Sequence, residues 1–390
     1  VQDHIAAFVR HTAHDLYVWN PIHARIGQDL DLNSFDAIIL HFSIFVLSEH
    51  HLPETFALKL SEYAGPLVQL VQDEHRRINE MNARISELGV THIVSVLRPH
   101  HALTVYAPNV ERGVNIVSAL PGYVPENLLD LTPIPIADRP NDVVYRTRPQ
   151  MYYLGALAQE KYQIGYRFRD AVAGTDLKCD ISAREHDRIY GDAWVEFIRS
   201  SRAALGAPGG ASIFDFDGSV TRGLERYLGE HPDASFEEAS RDVLAPYEGN
   251  LVHSQVTPRA FEAIALRTAL IMYPSDYRGV LEAGRHYIPL ERDFSNLDDV
   301  VRQLRDHAEL ERLVERAFQE IVVDAQYTLE GFVTRFDSVI AAVAIQSTRT
   351  NSASTFSRED FDRVQRRETR RGMVPLRRLL FQRIYGFVFG

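Results

Sequence analysis

Two aspartates one residue apart, Asp215 and Asp217 in the run Ile213-Phe214-Asp215-Phe216-Asp217-Gly218, are the most concentrated carboxylate chemistry in the chain. Just before them, Gly209, Gly210 and Ser212 form a turn whose exposed amides could cradle a phosphate, and Gly279 with the Val280 amide could do the same. Lys59, Lys161 and Lys178 are the only lysines, so any mechanism that needs a lysine beyond residue 178 is excluded. Cys179 is the single cysteine, which excludes a disulfide framework and a Cys-rich zinc site within one chain.

The run from Asp215 to Thr221 resembles the first motif of haloacid-dehalogenase-type phosphatases. The resemblance implies one aspartate attacking phosphorus and the other handling the leaving-group proton. That chemistry needs a nucleophile at the end of a buried strand, a magnesium ion, a basic residue and a later acidic pair. Only Ile213 and Phe214 are bulky before Asp215, no lysine follows, and the acidic pair Asp298-Asp299 sits in a helical pattern. Asp-Phe-Asp also imitates the metal-binding Asp-x-Asp of one glycosyltransferase class. An aspartate-nucleophile phosphatase stands as the alternative reading.

Groups such as these need a scaffold, and the hydrophobic pattern describes one. Ile5, Phe8 and Val9 fall at helical spacing, and residues 16–19 look strand-like. A buried strand over 35–40 ends at His41-Phe42-Ser43, and another over 66–71 ends at Gln72-Asp73-Glu74. A helix with Ile78, Met81, Ile85 and Leu88 then leads to a strand over 91–96. Strands separated by helices predict βαβ units and a parallel sheet. Such a sheet usually opens on a strand, so a first strand upstream of Val1 is expected. Residues 132–142 hold three prolines without periodicity and read as a linker. Alternation resumes at Val143-Val144-Tyr145, with helices near 158–173 and 185–201, a strand over 268–273 and a long helical stretch over 297–323. A chain of 390 residues suits two domains of roughly 150–200 residues each. The expected division is an α/β domain over 1–136, a second over 137–340 and a C-terminal helical tail over 341–390.

The segment running from Ser254-Gln255-Val256-Thr257-Pro258-Arg259 through Glu262 to Ile271 resembles the C-terminal signature of GT-B-fold bacterial glycosyltransferases. So do Tyr277-Arg278-Gly279-Val280-Leu281-Glu282, His286-Tyr287-Ile288-Pro289-Leu290 and Asp293-Phe294-Ser295-Asn296. Gln72-Asp73-Glu74, Gln159-Glu160-Lys161, Asp180-Ile181-Ser182, Asp187-Arg188-Ile189-Tyr190-Gly191 and Glu248-Gly249-Asn250 fit the same group. The similarity covers roughly residues 1–335 and is most specific over 254–300. It implies two Rossmann-like parallel-sheet domains facing a cleft, with a nucleotide-sugar bound on the second. The reaction implied is metal-independent transfer of a sugar to a glycan, a lipid-linked glycan or another cell-envelope acceptor, with no cofactor beyond the co-substrate.

On this resemblance Glu262 accepts the ribose hydroxyls and Arg259 beside it meets phosphate. Arg146 and Arg148, with Lys161 in the next helix, would neutralise the diphosphate leaving group without a metal. Gly210, Ser212, Gly279 and Val280 are the expected amide cradles. Many retaining members carry a glutamate eight positions before the ribose-binding one. Ser254 stands there, so the stereochemistry is not read from it. An inverting enzyme needs a general base on the acceptor side, and His41, Asp73, Glu74 and His75 are the candidates at strand ends. A non-catalytic sugar-nucleotide-binding protein is the third reading.

Composition narrows the classes further. Apolar residues make up 45% and charged residues 24% of the chain, which is ordinary for a globular protein. The net charge of −11 argues against a nucleic-acid partner. No apolar run of ~18 residues and no signal-peptide core occurs, so a cytoplasmic location is expected. From Ile345 onward ten arginines face four acids. The stretch 373–389 mixes these with Met373, Leu379, Phe381 and Phe387, as in a basic amphipathic segment. Either it docks on the globular body, which its apolar content favours, or it makes peripheral contact with the inner face of the membrane.

Overall fold

The computed structural model describes residues 1–21, 30–346 and 357–371. It is an α/β chain built on two parallel sheets. The first holds β1 (Ile38–Leu40), β2 (Leu67–Leu70), β3 (His92–Ser95) and β4 (Asn115–Ser118), paired in that order with every pair parallel. Around it lie α1 (Gln2–His11), α2 (Glu54–Ser61), α3 (Ile78–Glu87), α4 (Pro99–Val105) and α5 (Ala107–Val110). The second sheet is drawn from β5 (Asn141–Arg146), β6 (Cys179–Ser182), β7 (Ser201–Gly206), β10 (Ala269–Met272) and β11 (Ile288–Pro289), in the order β11-β10-β7-β5-β6, again all parallel. Between β7 and β10 a short antiparallel ribbon joins β8 (Gly209–Ala211) to β9 (His253–Gln255).

The strands read as continuous apolar runs because both faces of each sheet are covered. Leu67 and Ile93 enter one core while Val68, Leu70 and Val94 enter the core on the other face. In the second sheet Val143, Ala203 and Leu205 face one core and Val144 and Ala204 the opposite one. The helices of this half are α6 (Ala156–Ala171), α7 (Asp192–Arg199), α8 (Ser219–Glu230), α9 (Phe236–Ala239), α10 (Pro258–Ala265), α11 (Leu297–Arg305) and α12 (His307–Ala317). The expected stretch over 297–323 breaks at Asp306, whose carboxylate caps α12 by accepting the Glu309 amide at 2.9 Å.

The linker is anchored rather than loose. Buried Arg139 donates to the carbonyls of Ile134 (2.9 Å) and Ser201 (2.8 Å) and to the Thr268 hydroxyl (3.0 Å). From residue 329 the chain returns to the first half as α13 (Leu329–Gln346), whose Phe332, Val333 and Phe336 are buried with Phe8, Val68 and Tyr123. This crossing begins twelve residues before the expected tail boundary at 341. In α14 (Arg358–Arg371), Phe361 packs against Tyr17 and Phe35, while Arg358 and Gln365 donate to the carbonyls of Leu16 and Val18. The expected strand at 16–19 is therefore an irregular segment pinned by side chains. The amphipathic stretch 373–389 lies outside the described residues. No helix among the described residues is long and apolar enough to cross a membrane.

Candidate functional site

The two halves meet where strand ends from both sheets converge. Arg278, in a left-handed turn (φ 59°), reaches across to the ends of β3 and β4. It donates to the carbonyls of Val96 (2.6 Å) and Ala119 (3.1 Å) and to the Ser118 hydroxyl (2.8 Å). Arg98 forms an ion pair with Asp276 beside it. A second seam joins the turn after β2 to the segment after β8: the Asp215 amide donates to the His75 carbonyl at 2.8 Å and the Asn79 amide to the Phe216 carbonyl at 2.9 Å.

Along that seam the turn after β2 alternates its side chains. Glu74 turns into the first half, where its carboxyl accepts the Ser95 hydroxyl (2.7 Å), the Val96 amide (2.9 Å) and the Tyr106 hydroxyl (2.5 Å). Burial pushes its pKa up to about 7 against the opposing pull of those bonds. A carboxyl so enclosed has no path to an acceptor hydroxyl, so Glu74 is not placed as the base expected of it. Asp73, by contrast, is exposed, with a left-handed backbone (φ 55°). His75 is half-buried; burial lowers its pKa to about 4, Asp73 raises it, and Arg76 and Lys161 lower it. His41, at the end of β1, has both ring nitrogens engaged. The Ser43 amide donates to Nδ1 at 3.1 Å, which leaves Nε2 to face His4 Nδ1 at 3.1 Å. Burial, then the nearby N-terminal charge, holds its pKa near 4.

Across the junction stands Lys161. The hydroxyls of Tyr145 and Thr147 at the end of β5 both donate to the Lys161 carbonyl at 2.9 Å, which fixes this turn of α6 against the sheet. Its ammonium has no hydrogen bond or ion pair among the described residues, and neither has the Asp73 carboxylate. Burial lowers the lysine's pKa; Arg259 and Arg148 add to that effect and Asp73 opposes it, so all four lie within electrostatic reach. Arg259 lies 4.9 Å over the Trp194 ring and donates to the Arg146 carbonyl at 2.6 Å. The Trp194 indole N–H in turn holds Glu262 Oε2 at 2.9 Å. Glu262, Arg259, Lys161, His75 and Asp73 thus follow one another from the second half to the first.

Other expected residues have structural work. The Arg146 guanidinium is tied to the carbonyls of Asp187, Tyr145 and Asp180 and to the Asp180 carboxylate, so it locks β5 to β6 and is not available to a leaving group. Ser212 Oγ accepts the Leu157 amide at 3.1 Å and Glu248 accepts the Ala156 amide at 3.1 Å, so side chains already cap α6. Gly155 precedes that cap at φ 79°, and a Cβ there would stand 2.4 Å from Ser212 Oγ. Gly210 (φ 114°) lets β8 approach β9, where a Cβ would lie 1.8 Å from the His253 carbonyl. The Gly279 and Val280 amides are bonded within their own turn to Asp276 and Tyr277. The Gly279-Val280 turn and the capped start of α6 are thus already occupied by the chain's own groups.

Asp215 is resolved as a cap. One carboxylate oxygen accepts the Val220 amide (3.3 Å) and the other the Thr221 amide (2.9 Å) and hydroxyl (2.7 Å), so it anchors the start of α8. Asp217 accepts the Ser219 amide. A nucleophile committed to three donors is poorly disposed to attack phosphorus, and the phosphatase reading loses its central residue. Among the described residues no group of three or more His, Cys, Asp or Glu is arranged to hold a metal ion. Trp194, Asp276 and the junction role of Arg278 are not singled out by the sequence, and Glu248 enters there only within the Glu248-Gly249-Asn250 segment, with no role given to it. A tryptophan within the predicted helix near 185–201 was the one available signal, because the chain has only two.

No protein-family model matches the chain, and no curated protein matches it. Solved structures align with much of the chain, each with a TM-score below 0.5. The GtfA/B complex aligns over 81% of this chain at 11% identity with a TM-score of 0.43, and the chain spans 58% of that protein's length. A glycosyltransferase from Rickettsia africae aligns over 79% of this chain and 77% of its own at 11% identity and a TM-score of 0.44. HepE of Anabaena in complex with UDP aligns over 80% and 79% at 10% identity and a TM-score of 0.45.

Proposed function

We propose that this chain is a glycosyltransferase that moves a sugar from a nucleoside-diphosphate donor to a hydroxyl acceptor. One observation carries the reading. Among the described residues, the unpartnered ammonium of Lys161, with Arg259 and Arg148 in reach, stands at the strand ends of the second sheet opposite the unpartnered carboxylate of Asp73 from the first. Clustered cations suit a diphosphate, and an exposed carboxylate suits a hydroxyl that must lose its proton. In the transfer the acceptor oxygen bonds to the anomeric carbon and its proton passes to Asp73. The bond from that carbon to the donor oxygen breaks, and the electron pair stays on the diphosphate, where Lys161 and Arg259 stabilise it. Glu262, steadied by Trp194, keeps its second oxygen for the ribose hydroxyls. The resident cations make the reaction independent of divalent metal, and the acceptor is a glycan, a lipid-linked glycan or a related envelope intermediate.

Turnover of UDP-, GDP- and dTDP-sugars in EDTA, alone and with sugar acceptors, tests this. The wild type should release nucleoside diphosphate, and Asp73→Asn should lower kcat by about 10²–10⁴-fold with donor affinity retained. Unchanged turnover in Asp73→Asn would remove the base. Donor binding without turnover in the wild type would leave a sugar-nucleotide-binding protein.

A further inference from the structure

Asp73 is held in a backbone region that non-glycine residues adopt only where their surroundings over-determine it. Its surroundings show the restraint. The next residue, Glu74, is 9% exposed and drives its carboxyl into the first half, where Ser95, Val96 and Tyr106 each donate a hydrogen bond. On the other side of Glu74, the His75 carbonyl is pinned by the Asp215 amide. Residue 73 therefore adjoins a turn that is fixed at residue 74 by its side chain and at residue 75 by its carbonyl. The Val96 peptide extends the restraint across the junction, since its N–H goes to Glu74 and its carbonyl accepts from Arg278 of the second half. Tyr106 is fully enclosed, so its hydroxyl has this carboxyl in place of water.

We propose that Glu74 is a positioning residue: its buried carboxyl orients Asp73 toward Lys161 and ties that orientation, through the Val96 peptide, to the docking of Arg278. This rests on Asp73 being the base of the proposed transfer. Glu74 exchanges no proton with the acceptor in this role, and it needs only the shape and bonding of its carboxyl. Glutamine meets that need. Its amide oxygen accepts the Val96 N–H, and its NH2 donates to the Ser95 and Tyr106 hydroxyls, which turn to accept.

The experiment compares the wild type with Glu74→Gln, Glu74→Ala and Tyr106→Phe, by donor turnover and by hydrogen exchange of the amides over 72–77. Glu74→Gln should keep kcat within about threefold and leave the pH profile unmoved. Glu74→Ala should lower kcat roughly 10- to 100-fold with donor KM unchanged, the scale of a displaced reacting group, and should speed exchange over 72–77. Tyr106→Phe, which removes one donor without emptying space, should move both readouts the same way by less, and it carries the comparison if Glu74→Ala does not fold. Glu74→Gln as impaired as Glu74→Ala, with exchange unchanged, would mean that Glu74 itself moves the proton and would overturn the proposal. Wild-type kcat and exchange in Glu74→Ala would overturn it too. If the wild type transfers no sugar, the functional reading fails alone; faster exchange in Glu74→Ala, with Glu74→Gln unchanged, still supports the anchoring, and unchanged exchange refutes it.

Discussion

At the scale of the residue, the decisive distinction is between polar groups with partners and polar groups without. Lys161 is held by its own carbonyl while its ammonium is unmatched among the described residues, so its removal should cost chemistry rather than stability. Lys161→Ala should reduce kcat/KM for a nucleotide-sugar by ~10²-fold or more, the scale of one lost transition-state donor, with the melting temperature within a degree or two of the wild type. Kinetics and calorimetry on one preparation check both parts. Glu74 makes a prediction of the opposite kind. Its folded pKa of about 7 lies above the usual 4.5, so the stability it brings is full below pH 4.5 and is lost as pH rises through 7. Glu74→Gln should therefore gain on the wild type from pH 5 to pH 8, by roughly 3 kcal/mol at most on the conversion of one pKa unit to 1.4 kcal/mol. Urea unfolding at both pH values measures it, and a constant difference would contradict it. In the sequence, Asp73 reads as a polar residue at a strand end and Lys161 as a cation in the helix that follows the first strand of the second half. Glu74 and Arg146 were assigned to chemistry because residue type does not show which way a turn residue faces. One carboxyl turns inward to three donors and one guanidinium folds back onto carbonyls, and only the fold decides that.

At the scale of the element, the strands of the parallel sheets were the clearest signal, since buried runs such as Leu67 to Leu70 have no other place to go. Their ends lie one to three residues inside the apolar runs: β1 begins at Ile38, whereas the run begins at Phe35. The segment 16–19 misled for a physical reason: Tyr17 and Trp19 pack on the cluster around Phe361, which rewards apolar side chains without a strand partner. The return of α13 to the first half was foreshadowed only as docking of a more distal stretch. It now makes a stability prediction. Phe332 contacts Phe8, Tyr123 and Phe336 in the core that covers one face of the first sheet, so Phe332→Ala should destabilise the chain by ~3–5 kcal/mol. Unfolding monitored on the first half would show this, and a loss under ~1 kcal/mol would mean that α13 is not part of that core.

At the scale of the whole molecule, the two-sheet architecture followed from length and from the alternation of strand and helix, while the seams between the halves did not. They are built from backbone carbonyls and single side chains such as Arg278, which carry no sequence period. The same burial that builds the site sets the response to acid. Burial depresses His4 to about 3 and His41, His75 and His253 to about 4, each from 6.5. Between those values the folded chain binds fewer protons than the unfolded one, so stability must fall as pH drops from 6.5 toward 4. Glu74 opposes this as one group against four. The urea midpoint should decline steadily over that window, and a flat profile would contradict the neutral state of these imidazoles. The junction is proposed to bind a nucleoside diphosphate through Lys161, Arg259 and Glu262. Isothermal titration of UDP, GDP and dTDP in EDTA tests it most directly. Saturable binding of at least one of them is expected, weakened by ~1–3 kcal/mol in Glu262→Ala and in Lys161→Ala. Binding equally tight in both variants, or binding of none of the three to the wild type, would contradict it.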